Sequence, residues 1–419
     1  LFMGDYMNSY IDSVDFFKGN NPEKIAAEFG TPLYVYNEEI IRNRMNRVGT
    51  VIKKFPYTAN YSVKANTNIH ILRLALEEGN NCDAMSIGEI QMLLKAGFPS
   101  EKIFFVPNNV SESELQFAID NHIMTSLDSL SQLELFGRLN NGGACAVRIN
   151  PGVGAGHCEK VITGGKKTKF GIQESDIDRI FDIAKKYNLT IAGINQHIGS
   201  LFMDGKPYLD AVKNILRIAK RFKNLQFIDF GGGYGIPYHK LDDEKDFPME
   251  EFSVQLEKII QDFVDDYKSV PLFKSEPGRY CIAEGGVILG RVFALKENAG
   301  KIYAGTDIGM NVLVRPSMYD SWHDIEVLRC GKVVSRDELA EQTVTGNICE
   351  SGDLLAKDRL LPKINIGDLV CVLDTGAYGW SMCSTYNSRP RPAEVMICKD
   401  GSVKQIRRRE TVEDLMRLF

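Results

Sequence analysis

A lysine stands near the end of "TANYSVKAN" (58–66), where small, aromatic and β-branched residues give way to the helical text "TNIHILRLALEEG". Other runs of the same kind end on groups that could also react. Arg148 lies in "ACAVRIN", His197 in "IAGINQHIGS", three glycines (Gly231–Gly233) in "IDFGGGYGIP", and Glu276 and Arg279 in "SEPGRY". A lysine amine condenses with a carbonyl to form a Schiff base. Successive glycines let backbone N–H groups surround an anion, because no Cβ stands in the way. A carboxylate pairs with a protonated ring nitrogen, and an imidazole stacks on a ring face. These are the parts that a pyridoxal phosphate site needs, provided that the run ends face one another. Singly, each has a plainer reading, as a solvated lysine, a core histidine or a ligand-free glycine turn.

Two nucleotide readings fit worse. "GGGYGI" lacks the third glycine of G-x-G-x-x-G, and Pro237 follows where a helix should begin. "TGGKKTKFG" places Lys167 where a P-loop needs Ser or Thr, and Lys160 where it needs the first glycine.

Run ends meet only if the elements carrying them align. From about residue 58, short β-rich runs alternate with amphipathic stretches such as "GEIQMLLKAG", "SDIDRIFDIAKKYN" and "SVQLEKIIQDFVDDY". The predicted strands are Thr58–Ala65, Asn81–Ser86, Ile103–Pro107, Met124–Asp128, Ala144–Asn150, Ile191–His197, Gln226–Phe230 and Leu272–Glu276. Alternation implies parallel pairing through helical crossovers. Eight such units in about 220 residues match a (β/α)₈ barrel in count and length. In that fold the active site forms at the C-terminal strand ends, and phosphates favour the loops after strands 7 and 8. Those loops are where "GGGYG" and "EPGRY" fall. A doubly wound open sheet is the competing arrangement. Ser111 with Glu114, and Ser175 with Asp176, mark two helix starts.

After about Tyr280 the helical pattern fades into runs such as "GVILGRVFALKE", "KIYAGTDIG", "HDIEVLRC" and "AEVMICKDG", separated by turn residues. That predicts an all-β domain. The expected fold class is α/β plus β, a TIM-like barrel with a C-terminal β domain. Its expected parts are an N-terminal segment (1–35) packing with the β domain, the barrel (36–282) and the β domain (283–419).

Composition narrows the class further. The 419 residues are 44% apolar and 25% charged, with a net charge of −5, which is ordinary globular usage and offers no basic stripe for nucleic acid. Nine cysteines without a C-x-x-C pair and six histidines without H-x-x-x-H spacing predict reduced thiols in a cytoplasmic protein, with no metal site. No apolar run reaches membrane-spanning length, and the first residues lack a basic-then-apolar signal pattern.

The motifs "YSVKAN", "CDAMSIGE", "HIGS", "DFGGGYG", "EPGRY", "CESGD", "DTGAYG" and "YNSRPRPAEV" follow one another in order, within a match that runs from about residue 25 to the C-terminus. Together they resemble the diaminopimelate decarboxylase family, within the alanine-racemase-like class of pyridoxal phosphate enzymes. The resemblance implies that Lys64 carries the cofactor, that His197 stacks on it and that Glu276 meets its pyridinium nitrogen. It further assigns cofactor contacts to Ser200, Gly231, Gly232, Gly233, Gly278, Arg279 and Tyr378, and makes Cys349 the proton donor. Substrate contacts would come from Arg279, Arg315, Tyr319, Glu350 and Tyr378. In the family the "CESGD" loop serves the neighbouring subunit's site, which implies a homodimer with shared active sites. The chain departs from the family pattern at Asn347-Ile348 and in "HIGSLFMDG", neither of them a residue with an assigned role.

The activity so implied is decarboxylation of meso-2,6-diaminopimelate at its D-centre to L-lysine and CO₂, the last step of lysine biosynthesis. A racemase of the same class is implied to carry an arginine where Glu276 stands. Two other readings stay open: a related decarboxylase acting on ornithine, lysine or arginine, and a non-catalytic decarboxylase-like binding protein. The second predicts loss of Lys64, Glu276 or Cys349, and all three are present.

Overall fold

The computed structural model describes residues 9–150, 152 and 168–419. Lys160 and Lys167, and most of the 154–170 loop, lie outside the described residues. The chain divides into two compact units. One comprises 42–236 and 246–281; the other comprises the residues up to 41, then 237–245 and 282–419.

The first strand, β1 (Leu33–Asn37), belongs to the second unit. The first unit is a closed barrel of eight parallel strands: β2 (Tyr57–Ser62), β3 (Asn81–Ala84), β4 (Ile103–Phe105), β5 (Met124–Leu127), β6 (Ala144–Arg148), β7 (Thr190–Asn195), β8 (Phe227–Asp229) and β9 (Leu272–Ser275). Pairing of Tyr57 with Phe273 and of Ala59 with Ser275 closes the ring. The open doubly wound sheet is thereby excluded. Phe104 of β4 and Phe227 of β8 meet edge-on at 5.4 Å across the ring, so bulky side chains fill the interior.

Crossover helices begin where hydroxyl side chains satisfy open N–H groups. Ser86 accepts from Glu89 N ahead of the helix Ile87–Ala96. Ser111 and Glu114 form a full capping box. Asp176 behaves differently: its carboxylate goes to Arg179 at 3.2 Å, and a 3₁₀ turn, Glu174–Asp176, leads into the helix Ile177–Lys186.

The second unit is built on a mostly antiparallel sheet. It adds β10 (Gly286–Asn298), β11 (Lys301–Thr306), β12 (Ile325–Arg329), β13 (Lys332–Val333), β14 (Leu339–Thr345), β15 (Leu354–Pro362), β16 (Leu369–Val372), β17 (Ala393–Ile397) and β18 (Val403–Arg407). Strand order is β13-β12-β16-β10-β1-β17-β18, while β11, β14 and β15 continue from the far half of β10. β1 runs antiparallel to β10 and parallel to β17, with its side chains in the core.

Residues 237–245 lie in the middle of the barrel text, yet they group with the sheet. A buried cation explains the attachment. Lys240 Nζ donates to Asp374 Oδ1 at 2.6 Å and Glu284 Oε1 at 2.9 Å, and lies 4.1 Å from the Tyr10 ring centre. Burial opposes the ammonium, but the two carboxylates outweigh it and hold the amine charged. Removing one partner of a buried ion group strands the others without solvent or counter-charge. Lys240→Met is therefore expected to cost about 3–5 kcal/mol, read from denaturant unfolding followed by a probe in the sheet unit. An unshifted curve would show that the cluster does not hold the segment.

Candidate active site

Lys64 does not sit on a strand as its run suggests. β2 stops at Ser62, and a single 3₁₀ turn, Val63–Ala65, carries the lysine between two fully buried neighbours. Ser62 N donates to Pro277 O at 3.0 Å, Asn66 N closes on Val63 O, and Tyr61 Oη donates to Asn66 O. With its backbone bonded on both sides, the turn holds the base of the lysine rigidly. Ser62 thus ties the end of β2 to the loop after β9, next to the turn.

That loop holds Glu276, which is buried with Oε1 lacking any hydrogen-bond partner. Burial is the main reason its carboxyl is pushed well above the usual range. Asp229 and Asp83 add to the rise, while Lys64 and Arg148 oppose it. The same burial lifts Asp83 to about 7 and Asp229 to about 6. Asp83 accepts from Ser62 Oγ at 3.0 Å, and Asp229 accepts from Gly231 N at 2.9 Å and Asn60 Nδ2 at 3.3 Å.

His197 follows β7. Gly232 N donates to its Nδ1 at 3.2 Å, so that nitrogen carries no proton. Burial, reinforced by the charges of Lys64 and Arg148, holds the imidazole neutral. Ser200 Oγ accepts from Arg279 Nη2 at 3.0 Å.

The glycine run packs more closely than a bare anion cradle would. Gly231 N and Gly232 N are both engaged by protein acceptors, Asp229 and His197. Gly232 needs glycine because a Cβ there would lie 1.9 Å from Glu276 O. Gly231 O accepts from Glu276 N at 2.9 Å and from Tyr208 Oη at 3.0 Å. Among the described residues, the N–H groups of Gly233 and Gly278 have no protein acceptor.

The structure thus brings Lys64, His197, Ser200, Gly231–Gly233, Glu276, Gly278 and Arg279 to the C-terminal end of one barrel. Its interior holds further polar groups that the motif reading left without a role: Asn60, Asp83, Asn195, Gln196 and Asp229, all buried. Asn60 Oδ1, Asp83 Oδ1, Asn195 Nδ2 and both amide atoms of Gln196 are unsatisfied. Their signal in the sequence is a polar residue in the C-terminal half of a short strand or just beyond its end. Arg148 ends β6, 3.8 Å from the Asp128 carboxylate and stacked on Phe170.

The other predicted residues lie in the sheet unit. Arg315 and Tyr319 bound the short helix Arg315–Tyr319, and Ser317 Oγ donates to Gly352 O at 2.8 Å, tying that helix to the "CESGD" turn. Asp353 accepts from Met310 N and Ile348 N at 2.6 and 2.7 Å, fixing the turn's base. Cys349 is exposed, with Asn387 Nδ2 donating to its Sγ at 3.2 Å, and Tyr386 Oη donates to the exposed Glu350. Tyr378 is half-buried at a positive φ of 56°.

Residues 38–283 match the family profile described as pyridoxal-dependent decarboxylase, pyridoxal binding domain. The diaminopimelate decarboxylase of Methanothermobacter thermautotrophicus is 41% identical over 95% of this chain and 94% of its own length. That of Aquifex aeolicus is 36% identical over 96% and 95%. The crystal structure of diaminopimelate decarboxylase from Helicobacter pylori complexed with L-lysine superimposes with a TM-score of 0.86 at 32% identity, covering 95% of this chain and 99% of that one. The chain belongs to the diaminopimelate decarboxylase family of pyridoxal-dependent decarboxylases.

The barrel's open groups suit pyridoxal phosphate. A protonated ring nitrogen would satisfy the orphaned Glu276 Oε1, and a phosphate would accept from the N–H groups of Gly233 and Gly278. Gly232→Ala should force the 231–233 and 276–278 loops apart. The expected result is a loss of cofactor affinity of about tenfold or more, the worth of a hydrogen bond to a charged group, measured by spectrophotometric titration with pyridoxal phosphate. Unchanged affinity would show that this backbone contact does not shape the site.

Proposed function

We propose that this chain removes CO₂ from the D-centre of meso-2,6-diaminopimelate and releases L-lysine, the last step of lysine biosynthesis, in the cytoplasm. The observation that carries the reading is the buried, partnerless oxygen of Glu276 in the same barrel end as Lys64, in a chain 41% identical to a named diaminopimelate decarboxylase. Pyridoxal phosphate, when bound, supplies the electron sink that loss of CO₂ from an α-carbon requires.

The chain's own residues do the rest. Lys64 would hold the cofactor through its amine. Glu276 would pair as a carboxylate with the protonated ring nitrogen, whose positive charge offsets the burial that otherwise favours its neutral form. His197, held neutral, would cover the ring face. Ser200, Gly231, Gly232, Gly233, Gly278, Arg279 and Tyr378 would complete the cofactor's contacts. Cys349 delivers a proton to the α-carbon after CO₂ has left.

Charge counting supports the substrate. Ornithine, lysine and arginine each end in a cation, whereas diaminopimelate ends in an ammonium and a second carboxylate. The proposed substrate contacts, Arg279, Arg315, Tyr319, Glu350 and Tyr378, contain two arginines and one acid. Arginine grips a carboxylate through two parallel charge-assisted bonds, and two arginines facing an unpartnered ammonium would repel it. A turnover assay with the four amino acids tests the reading. The expected preference for meso-diaminopimelate is about 10⁴-fold or more. Borohydride should fix the cofactor on Lys64, and Lys64→Ala should abolish turnover. Comparable rates with ornithine, lysine or arginine would transfer the reading to those substrates. No turnover with any of the four, cofactor bound, would favour a binding protein.

The barrel, 36–282, is proposed as the cofactor domain. The β domain, 283–419, is proposed to supply substrate and dimer contacts, with 1–35 packing on it. The exposure of Cys349 and Glu350 supports a homodimer in which each "CESGD" loop serves its neighbour. Mixed Lys64→Ala and Cys349→Ala subunits should then regain activity through one intact site per heterodimer. No recovery after subunit exchange, verified by mass spectrometry, would mean that each chain builds its own site.

A further inference from the structure

Arg315 is a buried guanidinium at the start of a short helix, 5.5 Å from the Tyr238 ring centre and bonded to a histidine that no motif singled out. Arg315 Nε donates to His323 Nε2 at 3.3 Å, and Arg315 Nη2 donates to Ser321 Oγ at 3.2 Å. Arginine has N–H donors and no acceptor. His323 Nε2 must therefore present its lone pair, which puts the ring's proton on Nδ1. That nitrogen stands 2.8 Å from Leu373 O, an obligatory acceptor, so both contacts demand the same tautomer.

The ring has little freedom to turn. Its edge meets the Tyr238 ring at 5.2 Å and 83°, Arg359 Nη2 donates to the His323 carbonyl at 2.7 Å, and the ring stands ahead of β12. Leu373 N donates to Asp324 O, tying the two backbones beside the Nδ1 contact. His323 is 1% exposed and Arg315 2%. Tyr238, Arg315, Ser321, His323, Arg359 and Leu373 all belong to the sheet unit.

We propose that His323 is a positioning residue for specificity: through its Nε2 lone pair it fixes the plane of the Arg315 guanidinium that grips the substrate's distal carboxylate. The inference rests on the reading of Arg315 given under the proposed function. A two-pronged grip on a carboxylate works only when the guanidinium plane is preset. The distal carboxylate is remote from the bond that breaks, so it is held alike before and during CO₂ loss. A misplaced guanidinium then raises KM and leaves kcat nearly untouched.

The test compares His323→Leu, His323→Gln and Arg315→Ala by steady-state kinetics on cofactor-loaded enzyme with meso-diaminopimelate. His323→Leu should raise KM by about tenfold or more, with kcat within about threefold of the parent. His323→Gln keeps an acceptor for Arg315 and should recover most of that loss. A kcat that falls together with cofactor content would make His323 merely structural and overturn the proposal. Arg315→Ala separates the two readings. If it leaves KM unchanged, the assignment of Arg315 fails; if it raises KM while folded His323→Leu does not, only the positioning role fails. Should His323→Leu not fold, selective ¹⁵N-histidine NMR of the parent decides. A neutral His323 ring protonated on Nδ1 is expected, and a proton on Nε2 excludes the Arg315 bond.

Discussion

The barrel end depends on one backbone contact. Gly232 lies so close to the carbonyl of Glu276 that no side chain fits between them, and Gly231 O accepts the Glu276 N–H from the same side. The loops after β8 and β9 are thereby held together, which fixes the direction of the Glu276 carboxyl. The same turn aims Gly231 N at Asp229 and Gly232 N at His197, so one run of three residues orients an acid, a base and the loop carrying a third group. Ser62 N reaches Pro277 O and draws the Lys64 turn to the same loop. Loosening the glycine contact would move all of them together.

Burial and charge act against each other around that contact. Three carboxyls, Asp83 on β3, Asp229 on β8 and Glu276 in the loop after β9, are removed from water, and each is shifted upward by desolvation. Lys64 and Arg148 lower the cost of ionising Glu276, while burial, reinforced by the same two cations, keeps His197 neutral. Crowding of acids there favours retention of a proton among the carboxyls, because like charges at short range cannot all ionise in a low-dielectric interior.

Most of what the sequence made legible lay at strand ends. Lys64, His197, the glycine run and Glu276 could be aligned because alternation of strands and helices implies a common direction, and Ser111 with Glu114 announced its helix start through local hydrogen bonding alone. Asp83, Asp229, Asn60 and Asn195 were harder to read. A polar residue inside a short strand has meaning only once the ring is closed and its inner face is known. Lys240 is invisible for a different reason: its partners, Glu284 and Asp374, are distant in sequence, and nothing local marks a buried lysine. His323 likewise depends on a carbonyl fifty residues away. The 3₁₀ turn under Lys64 replaced the predicted last residues of a strand because Ser62 N pairs with the loop after β9, a contact that no local propensity reports.

The placement of β1 has a consequence for the nascent chain. Its partners in β10 and β17 begin at residues 286 and 393, roughly 250 and 360 residues downstream of Leu33. At ~5–20 residues per second of synthesis, the strand waits ~10–50 s for the first and ~20–70 s for the second. All eight barrel strands leave the ribosome within the first interval. Throughout it, "LYVYN", a strand whose first four side chains end fully buried, has both edges open to any other extended chain. Two acids, Glu38 and Glu39, follow it directly, where charge discourages association between unpaired copies. In the complete molecule the same two acids are engaged, Glu38 by Lys399 N and Glu39 by Lys18.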